Sequence, residues 1–323
     1  MTQPSSLPTS VSLFNRSCTV QIGPVSVSNI GQQAGLDVWF NVRKSLKPKT
    51  PNTADIRLYN LSDSTRKAIE QAAQPLPPPG GSATSKPVST VVAPDKSGIL
   101  DNTGTPVTIT AGYVGATALI FQGALRSAQT VTDGPDTVTE LSTGDGDSSA
   151  ILARTSYNFG AGATAYSVAK QLISDMKCGA GNTDSSQIKT SLQSAPPYTA
   201  GVVLKGSSFE ILCELATSCG LEVVLHNGVP LWLVAGQPTP GNAYLLQTVP
   251  QNTGVIGSPS VDTKGVLSIE TLMLPGIVVG GPIQVETQYI KGLYRVCSAE
   301  WTGATSGNDF KISLEAKRYG LAP

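Results

Sequence analysis

The chain is short of the side chains that do chemistry. It has one histidine, His226, and charged residues make up only 14% of its 323 positions, with 22 basic against 22 acidic side chains and a formal net charge of zero. That balance excludes the basic footprint of a nucleic-acid binder, whose affinity comes from neutralising phosphates. So few charges also make a poor surface for a free monomer, because solubility leans on net charge, and this points to buried subunit contacts. Long apolar runs are missing too; stretches such as Ile277-Val278-Val279 are far too short to cross a bilayer, so no membrane segment is expected. The opening residues, Met1 to Pro8, carry neither a basic segment nor an apolar core and do not read as a secretory leader. The expectation is a chain made in a cytoplasm that stays soluble or assembles there. Five cysteines (Cys18, Cys178, Cys213, Cys219 and Cys297) are an odd number with no C-x-x-C spacing, which predicts reduced, largely buried thiols and no disulfide framework. A zinc site would need clustered cysteines or more histidine.

Catalytic motifs are equally scarce. His226 sits beside a predicted hairpin turn, with no serine or cysteine nucleophile near it in sequence. Thr143-Gly144-Asp145-Gly146-Asp147 has the look of a calcium loop but lacks the later ligand spacing and the closing glutamate, so it reads as a turn at a domain junction. Glu210 and Glu214 share one face of a predicted helix, a pairing that would serve glycoside hydrolysis only across a cleft. Glu210 is already accounted for as part of a helix cap. Gly160-Ala161-Gly162 lacks the third glycine of a dinucleotide fingerprint, and no G-x-S-x-G, phosphate-binding loop or H-E-x-x-H occurs. The expectation is no catalytic, cofactor-binding or metal-binding residue. Two other readings stay open: a cell-wall hydrolase using Glu210 and Glu214, and a glycan- or receptor-binding module with Trp39, Trp232 or Trp301 as stacking platforms, although aromatics are only 6% of the chain.

What the sequence does have is strand and turn grammar. Period-two alternation predicts half-buried strands over 17–27, 36–42, 53–59, 106–113, 119–131 (broken near Gly123) and 136–143. A basic, proline-broken loop covers 44–52, and Ser62 is placed to cap a short helix from Asp63 to about Ala73. Residues 74–105 are rich in Pro, Gly and Ser, a composition that buries little apolar surface and reads as an exposed or disordered insertion. From 148 the period changes: Ala165, Val168, Ala169, Leu172, Ile173 and Met176 recur at helical spacing. Ser207 and Glu210 form a capping-box pair ahead of a second helix that Gly220 can stop. Asn227-Gly228 between alternating runs at 221–226 and 229–234 is the strongest short-range hairpin signal. No Asp, Glu, Lys or Arg occurs between Glu222 and Asp262, a gap read as facing an interface, whose cores are depleted of charge. Strands return at 265–273, 282–288, 293–301 and 309–316. The fold expectation is mainly β with a smaller α+β part. Two β-barrel domains, 1–147 (with the insertion at 74–105) and 236–323, flank a helix-plus-hairpin middle domain, 148–235.

These pieces together resemble the tail hub (baseplate hub) proteins of tailed bacteriophages, the family that includes phage late control protein D. The resemblance rests on 36–42, 53–62, Ile120-Phe121-Gln122-Gly123-Ala124-Leu125-Arg126, Asp133-Gly134-Pro135-Asp136 and Gly144-Asp145-Gly146. It continues through the helix and Asn-Gly hairpin of the middle domain, then Gly292-Leu293-Tyr294-Arg295-Val296 and Gly307-Asn308-Asp309-Phe310. It covers most of the chain outside 74–105. Trp301-Thr302 departs from the family pattern, and the proline-rich insertion is foreign to the family's core. The resemblance implies a structural virion protein and no enzyme: a homotrimer in the tail baseplate, assembled in the host cytoplasm, whose subunits each give two tube-type barrels, about 13–147 and 236–323. Three copies with two barrels each would match a six-fold tail tube. Implied partners are the tail tube protein ring, a central spike or tip protein and a tape-measure protein, with no specific nucleic-acid binding.

Overall fold

The computed structural model describes residues 15–30, 36–47, 50–73, 104–146, 153–248 and 253–319. Residues 74–103 of the insertion expected at 74–105, the first fourteen residues and Asp147 lie outside the described residues. In chain order the strands of the first half are β1 (Arg16–Ile22), β2 (Val25–Ser28), β3 (Val38–Ser45), β4 (Thr53–Tyr59), β5 (Pro106–Tyr113), β6 (Ala116–Asp133) and β7 (Asp136–Gly144), with helix α1 (Asp63–Ala72) between β4 and β5. The middle comprises β8 (Arg154–Phe159), α2 (Ala165–Met176), α3 (Ser186–Ser194), β9 (Val202–Ser207), α4 (Ser208–Ser218), β10 (Leu221–His226) and β11 (Val229–Val234). The last part is β12 (Tyr244–Gln247), β13 (Val255–Val261), β14 (Val266–Leu272), β15 (Pro282–Glu286), β16 (Lys291–Ala304) and β17 (Phe310–Arg318).

The mainly-β expectation with a smaller α+β part is what the structure shows. Among the described residues the two β-barrel domains expected at 1–147 and 236–323 share one continuous sheet. Thirteen strands form one sheet in the order β13-β14-β17-β16-β3-β4-β7-β6-β5-β1-β2, with β15 also on β16 and β12 on β15. No ladder among the described residues closes it into a ring. The two β halves meet where β3 pairs antiparallel with β16, from Ser298↔Ser45 to Ala304↔Trp39.

A bulge makes this seam. Residues Lys291 to Arg295 of β16 pair with β15. The register of β16 against β17 then shifts between Val296 and Ser298, and from Ser298 onward the strand pairs with β3. An extra residue in one strand bends it and increases its twist, so Cys297 re-aims β16 from its own hairpin toward the N-terminal half. Leu46 N–H closes the corner on Cys297 O at 2.8 Å.

Alternation places the core. In β3, Val38, Phe40 and Val42 are buried while Trp39, Asn41 and Arg43 are not; in β4, Ala54, Ile56 and Leu58 are buried against Asp55 and Arg57. One large core under the sheet runs without interruption from Val20 and Ile109 through Phe40 and Phe121 to Trp301, Phe310 and Ile312. A second core lies in the middle segment, where α2 and α4 pack Leu172, Leu212 and Ala216 against Leu221, Val223 and Trp232. The β10–β11 hairpin belongs to both cores. Leu221, Val223, Leu225 and Trp232 point to the helices, while Val224, Leu233 and Leu231 point to the great sheet. The register Val223↔Trp232 and Val224↔Leu231 keeps these two faces separate.

The caps at Ser62 and Ser207 are those the sequence predicts, and Thr164 adds a third. Ser62 Oγ accepts from Thr65 N–H, Thr164 Oγ1 from Ser167 N–H and Ser207 Oγ from Glu210 N–H, each satisfying a first-turn donor that the helix leaves open. The five cysteines are free thiols.

Candidate functional site

Two features stand out once the sheet is assembled. One is its polar face, the other a buried polar junction under the hairpin.

The face of the sheet turned away from the core carries several of its charges in opposite pairs, strand against strand. Along one row, Trp39 (β3), Arg57 (β4), Glu140 (β7) and Gln129 (β6) are direct cross-strand neighbours. The Arg57 guanidinium lies 5.0 Å from the Trp39 ring and 3.1 Å from Glu140, and Gln129 Nε2 donates to Glu140 at 3.0 Å. Across the seam, Asn41 and Arg43 of β3 donate to Glu300 of β16 at 2.8 and 2.9 Å. Those hydrogen bonds, Asn41's first, outweigh partial burial and hold the Glu300 carboxyl below the usual carboxylate range. Further along, Lys311 (β17) meets Glu270 (β14) at 3.0 Å and Ser298 donates to Glu315 at 2.7 Å. These partners are largely exposed, and exposed pairs contribute about 0–1 kcal/mol each. They add little stability. Their effect is on what the face presents, a hydrated surface with no block of either sign that crosses from one half of the sheet to the other.

The junction is built on Asp145, just after β7. It is 2% exposed, and Lys44 and Asn52 beside it are each 4% exposed. Asp145 accepts from Asn227 N–H at 2.7 Å, from Gly228 N–H, and from Asn52 Nδ2 at 3.0 Å. Asn52 also donates to Leu225 O at 2.9 Å. Lys44 Nζ donates to Asn227 Oδ1 at 2.7 Å and lies 5.8 Å from the Phe121 ring. The hairpin tip supplies donors to an acceptor because Asn227 (φ 53°) and Gly228 (φ 79°) both take left-handed conformations, the two-residue turn that turns its amides outward. Burial pushes Lys44 down to about 8 against the pull of Asp145. It raises the Asp145 carboxyl despite the hydrogen bonds that favour its charge. Burial, helped by the Lys44 charge, lowers His226 to about 3, so its imidazole is neutral.

A second anchor holds the other end of the hairpin. Arg295 of β16, 8% exposed, donates to Glu222 of β10 at 2.9 Å and to Gln237 O at 3.2 Å. Glu222 also accepts from Gly236 N–H at 3.2 Å.

The residues weighed for chemistry in the sequence fall elsewhere. Glu210 and Glu214 are both exposed on α4, one turn apart. Trp232 and Trp301 are 1% and 3% exposed, which removes them as stacking platforms. Trp232 Nε1 is spent on Thr183 Oγ1 at 2.8 Å. Trp39 lies under Arg57 on the polar face. Among the described residues no three His, Cys, Asp or Glu side chains come together as a metal site, and Asp145, the centre of the apparent calcium loop, is filled by amide donors. The uncharged stretch after Glu222 supplies core: Val223, Val224, Leu225, Trp232, Leu233, Tyr244 and Leu246 are all buried within the chain. Lys44, Asn52 and the Arg295–Glu222 pair are absent from the sequence reading, because nothing local marks a lysine or an asparagine as buried.

The model of a family described as baseplate hub gp41 matches residues 19–315. No curated protein matches the chain by sequence. Among solved structures, the tail protein from Neisseria meningitidis MC58 superposes with a TM-score of 0.58 at 12% identity, over 94% of this chain and 97% of that one. The 43 kDa tail protein of prophage MuSo2 from Shewanella oneidensis gives 0.57 at 10% identity, over 94% and 98%. A chain of the Francisella PdpA-VgrG complex gives 0.53 at 9% identity, covering 96% of this chain but 54% of that one. At these identities the structural likeness establishes the fold alone.

Proposed function

The chain belongs to the baseplate hub gp41 family, and from that premise we propose that it works in the phage tail as a homotrimeric hub that caps and nucleates the tail tube and attaches a central spike. A structural role in the tail baseplate follows from the family itself. The trimer, the tube contact and the spike are the finer reading.

The observation that carries it is the single sheet whose polar face crosses the β3–β16 seam. Each subunit offers two β units, 13–147 and 236–323, joined by that seam rather than by a flexible linker. Three such subunits supply six units around an axis, which matches a six-fold tube ring, and closed cyclic symmetry is the common solution for soluble oligomers. The paired-charge face suits the wall of a conduit. A surface of one sign would either hold or repel a polyanion, whereas alternating pairs do neither strongly. The middle segment 148–235, held on the hairpin, is the part left to face the spike or tip protein. A tape-measure protein is a further partner within the lumen. The site of action is the virion tail, after assembly in the host cytoplasm.

Size-exclusion chromatography with light scattering on the full chain tests the trimer, and negative-stain images of the trimer mixed with tube protein test the capping. A strictly monomeric chain at working concentrations, or a trimer without a central opening, overturns the reading.

A further inference from the structure

The sheet contains its own repeat, and the repeat leaves two edges over. The strand order β13-β14-β17-β16 in the C-terminal half is the order β3-β4-β7-β6 of the N-terminal half. We propose that β13 of one copy pairs antiparallel with the free edge of β6, residues 127–133, on the next copy, in the register that β3 takes on β16 within the chain. The proposal rests on the homotrimer reading and adds to it the strands, the register and the residues of the contact.

The two halves match residue by residue. In each, the last strand changes partner at a bulge. β16 leaves β15 and shifts register against β17 between Val296 and Ser298; β6 leaves β5 and shifts against β7 between Leu125 and Ser127. Aligning the bulges sets Ala299 on Ala128, which lie opposite Leu314 and Leu141. Those leucines lie opposite Ile269 and Ile56, and two residues further along β14 and β4 the partners are Val255 of β13 and Val38 of β3. Past its bulge β16 gives its outer side to β3. Past its own bulge β6 has no such partner: among the described residues, 127–133 pair with β7 alone. Helix α1 does not take the place. Its Glu70 meets Thr130, whose cross-strand neighbour Thr139 is fully buried, so the helix lies on the core face of this arm and not along its edge. At the other end of the sheet β13, the counterpart of β3, pairs with β14 alone.

The β3–β16 ladder supplies the register. Its pairs Trp39↔Ala304, Asn41↔Thr302 and Val42↔Trp301 become Ile256↔Asp133, Ser260↔Val131 and Val261↔Thr130 between copies. The exposed side chains point the same way. Val131 is 37% exposed, Ile256 37% and Val261 46%, so these two edges carry apolar surface in water that the contact covers. β13 departs from β3 at one point, where the four steps from Ile256 to Ser260 stand against two of β14, Glu270 to Ser268. That bulge holds Gly257 and Pro259, and a proline in a bulge blunts an unpaired edge against wrong partners. The ion pair of the internal seam, Arg43–Glu300, has no counterpart between copies. Glu300 corresponds to Gln129, and Arg43 to Asp262, whose Oδ1 already accepts from Lys264 and Val266 N–H. The contact joins two different patches, which is the head-to-tail kind that generates rings.

Engineered cysteines in the full chain test the register. Residues directly opposite in an antiparallel ladder have Cα atoms about 4.5–5.5 Å apart, a span that a disulfide bridges. Val131→Cys with Ser260→Cys is expected, on oxidation, to give covalent dimers and trimers on a non-reducing gel and a linked peptide joining 131 to 260, while each single variant runs as the monomer. Ser127→Cys with Ser260→Cys, displaced by about 13 Å along the strand, is expected to give no linked species. A charge pair tests the same ladder without a covalent bond. Ile256→Asp faces Asp133 of the next copy and is expected to lose trimer in light scattering at low salt, whereas Ile256→Lys keeps it. All four substituted positions are exposed in the single chain, so the variants are expected to fold. A trimer in light scattering that forms no 131–260 link between copies, or links equally well through the displaced pair, overturns the pairing and leaves the hub reading standing. Equal loss of trimer in Ile256→Asp and Ile256→Lys does the same. A chain that is monomeric at every concentration overturns both.

Discussion

Gly303→Ala puts one methyl group into the seam that joins the two halves of the sheet. Gly303 lies opposite Phe40 on the core side of the β3–β16 ladder. A Cβ there would stand 2.1 Å from Phe40 Cζ and 2.4 Å from Cε1, where unstrained carbons keep about 3.5–4.0 Å. The ring would have to move by more than an ångström. It has nowhere to go: Phe40 is fully buried and packs edge-on against Phe310 at 6.4 Å, which itself meets Tyr113 at 5.5 Å. Forcing a methylene into a filled core costs about 1–3 kcal/mol, and the rigid neighbours put this site in the upper part of that range. In a chain of this size each kcal/mol moves the melting midpoint by about 2 °C, so a fall of about 4–6 °C is expected. Urea unfolding followed by tryptophan fluorescence reads the same change, because Trp301 sits two residues away in β16 with 3% exposure. Protein concentration is held fixed so that assembly does not enter the comparison. Phe40→Leu in the Gly303→Ala background makes room, and the pair is expected to be less destabilised than the sum of the single changes. A Gly303→Ala chain with the wild-type midpoint, or strict additivity with Phe40→Leu, refutes the account of the seam.

Asp145→Ala leaves the Asn227 and Gly228 amides buried without an acceptor, and is expected to cost about 3–5 kcal/mol in urea unfolding and to speed hydrogen exchange at those two amides; a loss under about 1 kcal/mol contradicts the junction. Arg295→Ala breaks the pair with Glu222, whose side chain keeps 31% of its exposure, so the expected cost is about 2 kcal/mol, below the range for fully buried pairs. Arg295→Met, which keeps the apolar stem, is expected to lose less. His226 gives a pH test with a clear sign. Its folded form refuses a proton down to about 3, while the unfolded chain takes one up below about 6.5. Stability is therefore lost as pH falls from about 6.5, by up to about 1.4 kcal/mol per pH unit. His226→Gln is expected to flatten that part of the pH profile, and a profile unchanged in His226→Gln refutes the burial.

The sequence was most legible where one local rule settles an element. β4, β5 and the β10–β11 hairpin have the bounds that alternation and Asn-Gly give them, and α2 follows its apolar spacing from Ala165 to Met176. Alternation across 17–27 predicted one strand, but Ile22↔Val25 closes a tight turn there, and the segment is the hairpin β1–β2. β6 was expected to break near Gly123, yet it runs unbroken from Ala116 to Asp133. It changes partner along its length instead, with a register shift against β7 between Leu125 and Ser127. β12 and β13 went unseen. β13 carries Gly257 and Pro259 inside the strand and a register shift from Ile256 to Ser260, features that erase a period-two signal and belong to sheet edges. β12 pairs parallel to β15 across a long separation in sequence, and no short-range rule reports such a contact. The junction was invisible for a related reason. Thr143 to Asp147 looks like an exposed turn in sequence, and only the arrival of the hairpin, some eighty residues later, buries Asp145.

The scarcity of charge has two structural outlets, and they call for different explanations. On the sheet face, Arg57–Glu140, Arg43–Glu300 and Lys311–Glu270 are largely exposed and contribute little to stability, so their regular opposition across strands needs a reason in what the surface touches. The proposed conduit wall gives one, since neutral pairing keeps the face wet and unattractive to a polyanion along its length. At the hairpin, Lys44, Asp145 and Arg295 are withdrawn from water, where charge is costly unless paired and hydrogen-bonded. An apolar contact would hold the hairpin at less cost but would tolerate sliding. Directional bonds from the Asn227 and Gly228 amides at one end, and from Arg295 to Glu222 and Gln237 O at the other, fix both ends of the hairpin in register. Among the described residues the hairpin is the element shared by the two cores, so fixing its ends sets the position of the middle segment on the sheet, as the proposed presentation of a tip in line with a tube requires.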